Sequence, residues 1–94
     1  MRYFKFNDEG NHDWGGEATY WWEINDARYV ERELATYPNG NVLSYDSDHD
    51  LDEYGGLSTI VVEGDNEAWL LPYEISKDEF EREWRTHTPM NRNI

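Results

Sequence analysis

Hydrophobic and polar positions alternate from the start of the chain. Tyr3 and Lys5 fall on one side and Phe4 and Phe6 on the other, the period-two pattern of a half-buried strand. Residues 8–16 are rich in Asn, Asp and Gly, which favour turns by side-chain bonding to the backbone or by access to positive φ. This stretch reads as a loop with Trp14 as an apolar anchor. Alternation returns over 18–24, with Tyr20, Trp22 and Ile24 on one face and Thr19, Trp21 and Glu23 on the other. A turn at Asn25-Asp26 leads into a third strand over 29–37, in which Val30, Arg32 and Leu34 share a face.

Asn39-Gly40 then separates that strand from Asn41-Val42-Leu43-Ser44-Tyr45, and Asn-Gly is the favoured pair for a two-residue hairpin turn. That loop pairs Thr36 with Leu43 and Leu34 with Tyr45, placing Leu34, Leu43 and Tyr45 on a common core-facing side. Residues 46–56 form a polar, Gly-ended loop. Ile60-Val61-Val62 is short and apolar enough for an edge strand, and the apolar run 68–75, interrupted by Pro72, reads as extended chain or a short strand rather than helix. Ser76-Lys77-Asp78-Glu79 is a capping box that opens a helix over 77–85. Its Phe80 and Trp84 lie four apart on one face, its early acids and late arginines suit the helix dipole, and Pro89 starts a loose tail. The expected fold is α+β: an antiparallel sheet of four to five strands with one C-terminal helix packed on one face. Residues 1–88 make a single domain and 89–94 a flexible tail.

Composition sharpens this picture. Ninety-four residues suit one hydrophobic core. Aromatic residues make up 16% of the chain, so rings replace aliphatic bulk, and this marks a folded protein despite 31% charged residues. The absence of cysteine excludes disulfides, thiolate metal ligands and a cysteine nucleophile. Asn7-Asp8-Glu9 follow the first strand too closely for a signal peptide or membrane helix, so the expected compartment is the cytoplasm.

Net charge is −13, from 21 acids against eight Lys or Arg. Such a field disfavours direct contact with nucleic acid or an anionic membrane and speeds encounter with a basic protein surface. The run Asp46-Ser47-Asp48-His49-Asp50-Leu51-Asp52-Glu53 places acids at alternate positions, as at the start of a calcium-binding loop. However, Leu51 stands where that loop needs Gly, and Leu57 where it needs the bidentate Glu. A solvated acidic surface is the plainer reading. Between Glu33 and Lys77 there is no Lys or Arg, so the acids there form a one-sign field. The residues expected to contact a basic partner are Asp46, Asp48, Asp50, Asp52, Glu53, Tyr54, Glu63, Asp65 and Glu67, with Tyr45, Tyr54 and Trp69 as candidate anchors.

No catalytic constellation is legible. His12, His49 and His87 lack the spacing of a zinc site, the serines lack a nucleophile elbow, plentiful acids do not by themselves define a glycosidase pair, and Gly15-Gly16 and Gly55-Gly56 lack a phosphate-loop pattern. The expectation is a binding protein and not an enzyme, monomeric or dimeric, with no metal and no cofactor.

Trp14-Gly15-Gly16, Thr19 to Ile24, Arg32 to Asp46, Asp52 to Leu57 and Glu74 to Phe80 together resemble a family of small uncharacterised acidic bacterial proteins, similar to polymorphic-toxin immunity proteins. The resemblance spans roughly residues 1–85 and carries no catalytic residues with it. It implies a bacterial immunity protein that neutralises a toxin, commonly a nuclease with a basic active site. The alternatives are a phosphate-mimic inhibitor of a nucleic-acid-binding defence complex, a small calcium-responsive binding module and a structural or assembly protein.

Overall fold

The computed structural model describes residues 1–10 and 16–92. The expected anchor Trp14, together with His12, Gly15 and the terminal Asn93 and Ile94, lies outside the described residues. Four strands run in an antiparallel meander, β1 (Arg2–Glu9), β2 (Glu17–Ile24), β3 (Val30–Thr36) and β4 (Val42–Tyr45). A two-stranded excursion follows, β5 (Leu51–Asp52) and β6 (Gly55–Gly56). Helix α1 (Asp65–Leu70) and a 3-10 turn at Leu71–Tyr73 lead to β7 (Glu74–Ile75), which pairs with β1 and completes a five-stranded sheet of order β4-β3-β2-β1-β7. The chain then enters α2 (Lys77–Thr86). This is the expected α+β arrangement with its C-terminal helix on one face, plus a small second sheet and a short second helix.

Helix α2 begins where the capping box places it, with the Ser76 side chain accepting a hydrogen bond from the Glu79 amide at 3.1 Å. Its Phe80 is buried in a cluster with Tyr3, Trp21, Leu34 and Val42, against which Trp84 also packs. Arg32 pins this layer down: its guanidinium forms two 2.8 Å bonds with Glu23, a further ion pair with Glu81 on the helix, and lies 4.9 Å from the ring centres of both Phe80 and Trp84. A planar, delocalised cation fits such a sandwich better than a lysine would.

The opposite face is covered too. Phe4, Phe6, Trp22, Ile24 and Val30 meet Val62 and Leu70, with Leu57 and Ile60 packed against them. Ile60-Val61-Val62 is therefore a strap across the sheet rather than an edge strand, and its only ladder contact among the described residues is a bridge from Val61 to Tyr29. The run 68–75, expected as extended chain, is instead helical up to Tyr73 and extended only at Glu74–Ile75. Pro72 does not interrupt α1, because it sits in the first turn of the 3-10 segment, where a missing amide hydrogen costs little.

Two local irregularities decide which side chains face which layer. Opposite Glu23 and Ile24 the pairing shifts by one residue, from Glu23–Arg32 to Ile24–Val30, a bulge that turns Val30 away from the face of Arg32 and Leu34. The β3–β4 loop holds three residues and not two: the Tyr37 amide donates to the Asn41 carbonyl at 2.9 Å, the Gly40 amide donates to the Tyr37 carbonyl at 3.0 Å, and Gly40 adopts φ 91°. This is the type I turn with a left-handed Gly that ranks next after two-residue loops. The pairs are Glu33–Tyr45, Leu34–Ser44, Ala35–Leu43 and Thr36–Val42. Leu43 and Tyr45 thus lie on the opposite face from Leu34, because a one-residue slip exchanges every side chain across the sheet.

Met90–Arg92, read in the sequence as part of a loose tail, form a 3-10 turn against β4. The Asn91 side chain accepts from the Ser44 amide at 3.0 Å and donates to the Ser44 carbonyl at 2.7 Å. These bonds satisfy an outward-facing stretch of the short edge strand, a common way to protect a sheet edge.

Burial on both faces sets a testable expectation. Leu70→Ala should lower the unfolding free energy by about 2–5 kcal/mol, measured by urea denaturation at unchanged m. A loss below about 0.5 kcal/mol, the range of ordinary surface substitutions, would place this face of the sheet in water.

Candidate functional site

The acidic stretch after β4 is braced from within. One Asp46 carboxylate oxygen accepts from the amides of Asp48 and His49, both at 2.9 Å, while the other meets the Arg92 guanidinium at 3.1 Å. Asp52 gathers four donors: the Tyr45 hydroxyl at 2.9 Å, the Tyr54 amide at 2.9 Å, His49 Nε2 at 2.7 Å and Asn91 Nδ2 at 3.0 Å. Burial alone would raise the Asp52 pKa, but the bonds from His49, the Tyr54 amide, Asn91 and Tyr45 outweigh it and hold the carboxyl at about 2. Asp46 and Asp52 therefore organise the loop, whereas Asp48, Asp50 and Glu53 point to solvent around it. Leu51, flanked by Asp50 and Asp52, is 77% exposed.

The remaining acids lie elsewhere. Glu67 on α1 pairs with Arg2 at 2.6 Å and Arg28 at 3.9 Å, and Arg2 also binds Glu74 through a 3.1 Å ion pair. Folding thus brings arginines from outside the one-sign segment to Glu67, Glu74 and Asp46, partly neutralising a field that looks uniform in the sequence. Glu67 salt-bridges to β1, three strand positions away from β4 in the sheet order, a separation of about 14 Å. Exposed Glu63 and Asp65 flank the start of α1 beside it. The nine residues expected to form one contact surface divide into a hairpin group, residues 46–54, and an α1 group, residues 63–67. Tyr54 packs at the edge of a third core cluster with Ala18, Ala35, Tyr37, Leu43 and Tyr45. Trp69 sets its ring edge-on to Phe6 at 5.2 Å, so one side of it is committed to the core. Among the described residues no group of three or more His, Asp or Glu side chains converges as a metal site would require.

The register of the β3–β4 hairpin builds a second feature that sequence reasoning missed. Glu33 lies across from Trp22 on β2 and Tyr45 on β4, while Ala35 lies across from Tyr20 and Leu43. All of these share one face, and the β5–β6 hairpin folds over them. They line a half-open cavity of about 120 Å³ bounded by Tyr20, Glu33, Ala35, Tyr37, Leu43, Tyr45 and Tyr54, with Gly55 and Gly56 beside them. Glu33, only 7% exposed, accepts through Oε1 from Trp22 Nε1 at 3.0 Å and from the Ser58 amide at 3.2 Å. Burial raises its pKa to about 7 against the opposing effect of those two bonds. Burial likewise pushes the Tyr20 hydroxyl up to about 12 and raises that of Tyr45, with Asp52 adding to the latter. The signal available beforehand was Pro38 ahead of Asn39-Gly40, since Pro at the second position of a type I turn followed by a left-handed Gly specifies the longer loop.

Glu33 makes stability pH-dependent. Between about pH 4.5 and 7 the folded protein holds the Glu33 proton more tightly than the unfolded chain does, so the contribution of this residue to stability falls as pH rises through that window. The expected size is on the order of 3 kcal/mol. Glu33→Gln removes the titration, and its stability relative to the parent should increase by that order between pH 4.5 and 8, read from paired urea denaturation curves. A difference that does not change with pH would contradict the buried carboxyl.

Comparison of the chain with protein-family models, curated protein sequences and solved structures finds no match.

Proposed function

We propose that this chain is an immunity protein, a binding protein that neutralises a basic toxin domain, with a nuclease as the favoured kind of toxin, through the acidic hairpin after β4. The observation that carries the reading is the arrangement of this hairpin. Asp48, Asp50 and Glu53 stand outward on a loop whose own hydrogen bonds fix its shape, and exposed Leu51 lies among them. An apolar anchor ringed by charge is the usual anatomy of an interface. Internal bracing lowers the entropy lost when such a loop is immobilised by a partner. The net charge of −13 supplies long-range attraction to a cationic surface, and this speeds encounter more than it deepens affinity.

Inhibition of this kind needs only occlusion. A basic substrate groove covered by the hairpin would be closed to nucleic acid without any chemistry by the inhibitor. Asp46 and Asp52 act in this scheme by holding the loop, while Asp48, Asp50, Leu51 and Glu53 meet the partner. Glu63, Asp65 and Glu67 contribute to the long-range field from a separate part of the surface.

The direct experiment is co-expression with the basic toxin-like product of a neighbouring gene, followed by purification of the complex. The expected outcome is a stoichiometric complex and loss of toxicity. In the purified pair, the combined substitution Asp48→Asn, Asp50→Asn and Glu53→Gln should slow association about tenfold at low salt, and raising ionic strength to about 0.5 M should remove most of that difference. Leu51→Asp should act mainly on dissociation. An association rate indifferent to both salt and the triple substitution would overturn the electrostatic reading, and capture of a nucleic-acid-guided complex would favour a phosphate-mimic inhibitor.

A further inference from the structure

The cavity at Glu33 has no role in the binding scheme above, and its chemistry is unusual for a packed interior. A buried carboxylate is normally matched by a cation or coordinated metal. Among the described residues the groups that act on Glu33 are Trp22 and the Ser58 amide, besides burial itself, and no cation is among them. By contrast, the other well-buried acid, Glu23, sits in a bidentate pair with Arg32. Among the described residues both hydrogen bonds to Glu33 end on Oε1, and the side chain lines an open space of about 120 Å³.

The walls of this space are aromatic. Tyr20 enters from β2, Tyr45 from β4, Tyr37 from the end of β3 and Tyr54 from the β5–β6 hairpin. Gly55, exposed and with φ 152°, stands at the edge, where a Cβ would lie 3.4 Å from the Tyr45 hydroxyl. Among the described residues the titratable groups that face Glu33 are thus tyrosines, and burial raises the hydroxyl pKa of Tyr20 and of Tyr45. Tyrosine ring faces attract cations, and sites lined by several aromatic rings bind alkylated ammonium groups.

We infer that the cavity formed by Tyr20, Tyr37, Tyr45 and Tyr54 over Glu33 is a binding site for an alkylammonium head group. The cation supplies the charge partner that the fold withholds from Glu33, and the rings replace part of its hydration shell. Two sources present this chemistry, a free small amine and the lysine side chain of a bound polypeptide. The site stands independently of the toxin partner proposed above.

Titration of the intact protein with choline, with a short lysine-containing peptide and with 3,3-dimethylbutan-1-ol tests this inference. The alcohol has the shape of choline without the charge. The expected result is saturable shifts in the NMR signals of Tyr45, Tyr54, Gly55 and the Glu33 carboxyl with at least one of the two cations, and none with the alcohol. Choline alone would identify a small-molecule site, and the peptide alone a site for a partner's side chain. Binding must also ionise Glu33, so near pH 7 it should release a measurable fraction of a proton, read by calorimetry in buffers of different ionisation enthalpy. Glu33→Gln should weaken binding about tenfold or more and abolish that release. The inference is overturned if the alcohol binds as well as choline, if neither cation shifts these residues at about 10 mM, or if the wild-type protein binds without releasing a proton.

Discussion

The hydrogen bonds that close the chain between Tyr37 and Asn41 fix the register of β4 on β3, and most of the candidate surface depends on that register. A sheet side chain has only two directions available, so a loop of three residues instead of two decides whether Leu43 and Tyr45 stand with Leu34 or against it. They stand against it, beside Glu33 and Ala35. From this follow the aromatic cavity and the docking of the β5–β6 hairpin over it. The Tyr45 hydroxyl can then reach Asp52, the residue around which the acidic loop is wound.

Burial on both faces explains how so charged a chain folds. With two apolar layers to fill, the alternating strands carry large residues on each side, Phe4, Phe6 and Trp22 toward α1 and Tyr3, Trp21 and Leu34 toward α2. Charged and amide groups that enter these layers are held by partners, whereas the Trp21 indole nitrogen is buried without a hydrogen bond. Arg32 reaches Glu23 and Glu81 while lying across two rings, and Asn91 ties the C-terminal turn to Ser44. Burial and polar satisfaction together position the acidic hairpin at one edge of the sheet and the Arg2–Glu67–Glu74 cluster toward the other.

Much of the fold was legible in the sequence, because its signals were local. Period-two alternation located β1 and β2, and the capping box at Ser76 and the spacing of Phe80 and Trp84 located α2 and its buried face. What escaped were features that depend on a residue's neighbours in space. The bulge that turns Val30 carries no strong local mark. Helix α1 was obscured by Pro72, which belongs to the turn beyond it. The charge map was distorted because Arg2, Arg28 and Arg92 come from outside the acidic segment. Glu33 carries no local mark of burial in the sequence and is buried through the register of its neighbours.

Cross-strand backbone NOEs in a uniformly labelled sample test the register most directly. The three-residue loop predicts contacts between Glu33 and Tyr45 and between Ala35 and Leu43, with none that pair Leu34 with Tyr45. Contacts pairing Leu34 with Tyr45 and Thr36 with Leu43 would contradict it, since they would place Tyr45 on the α2 face and leave the Glu33 cavity without its wall.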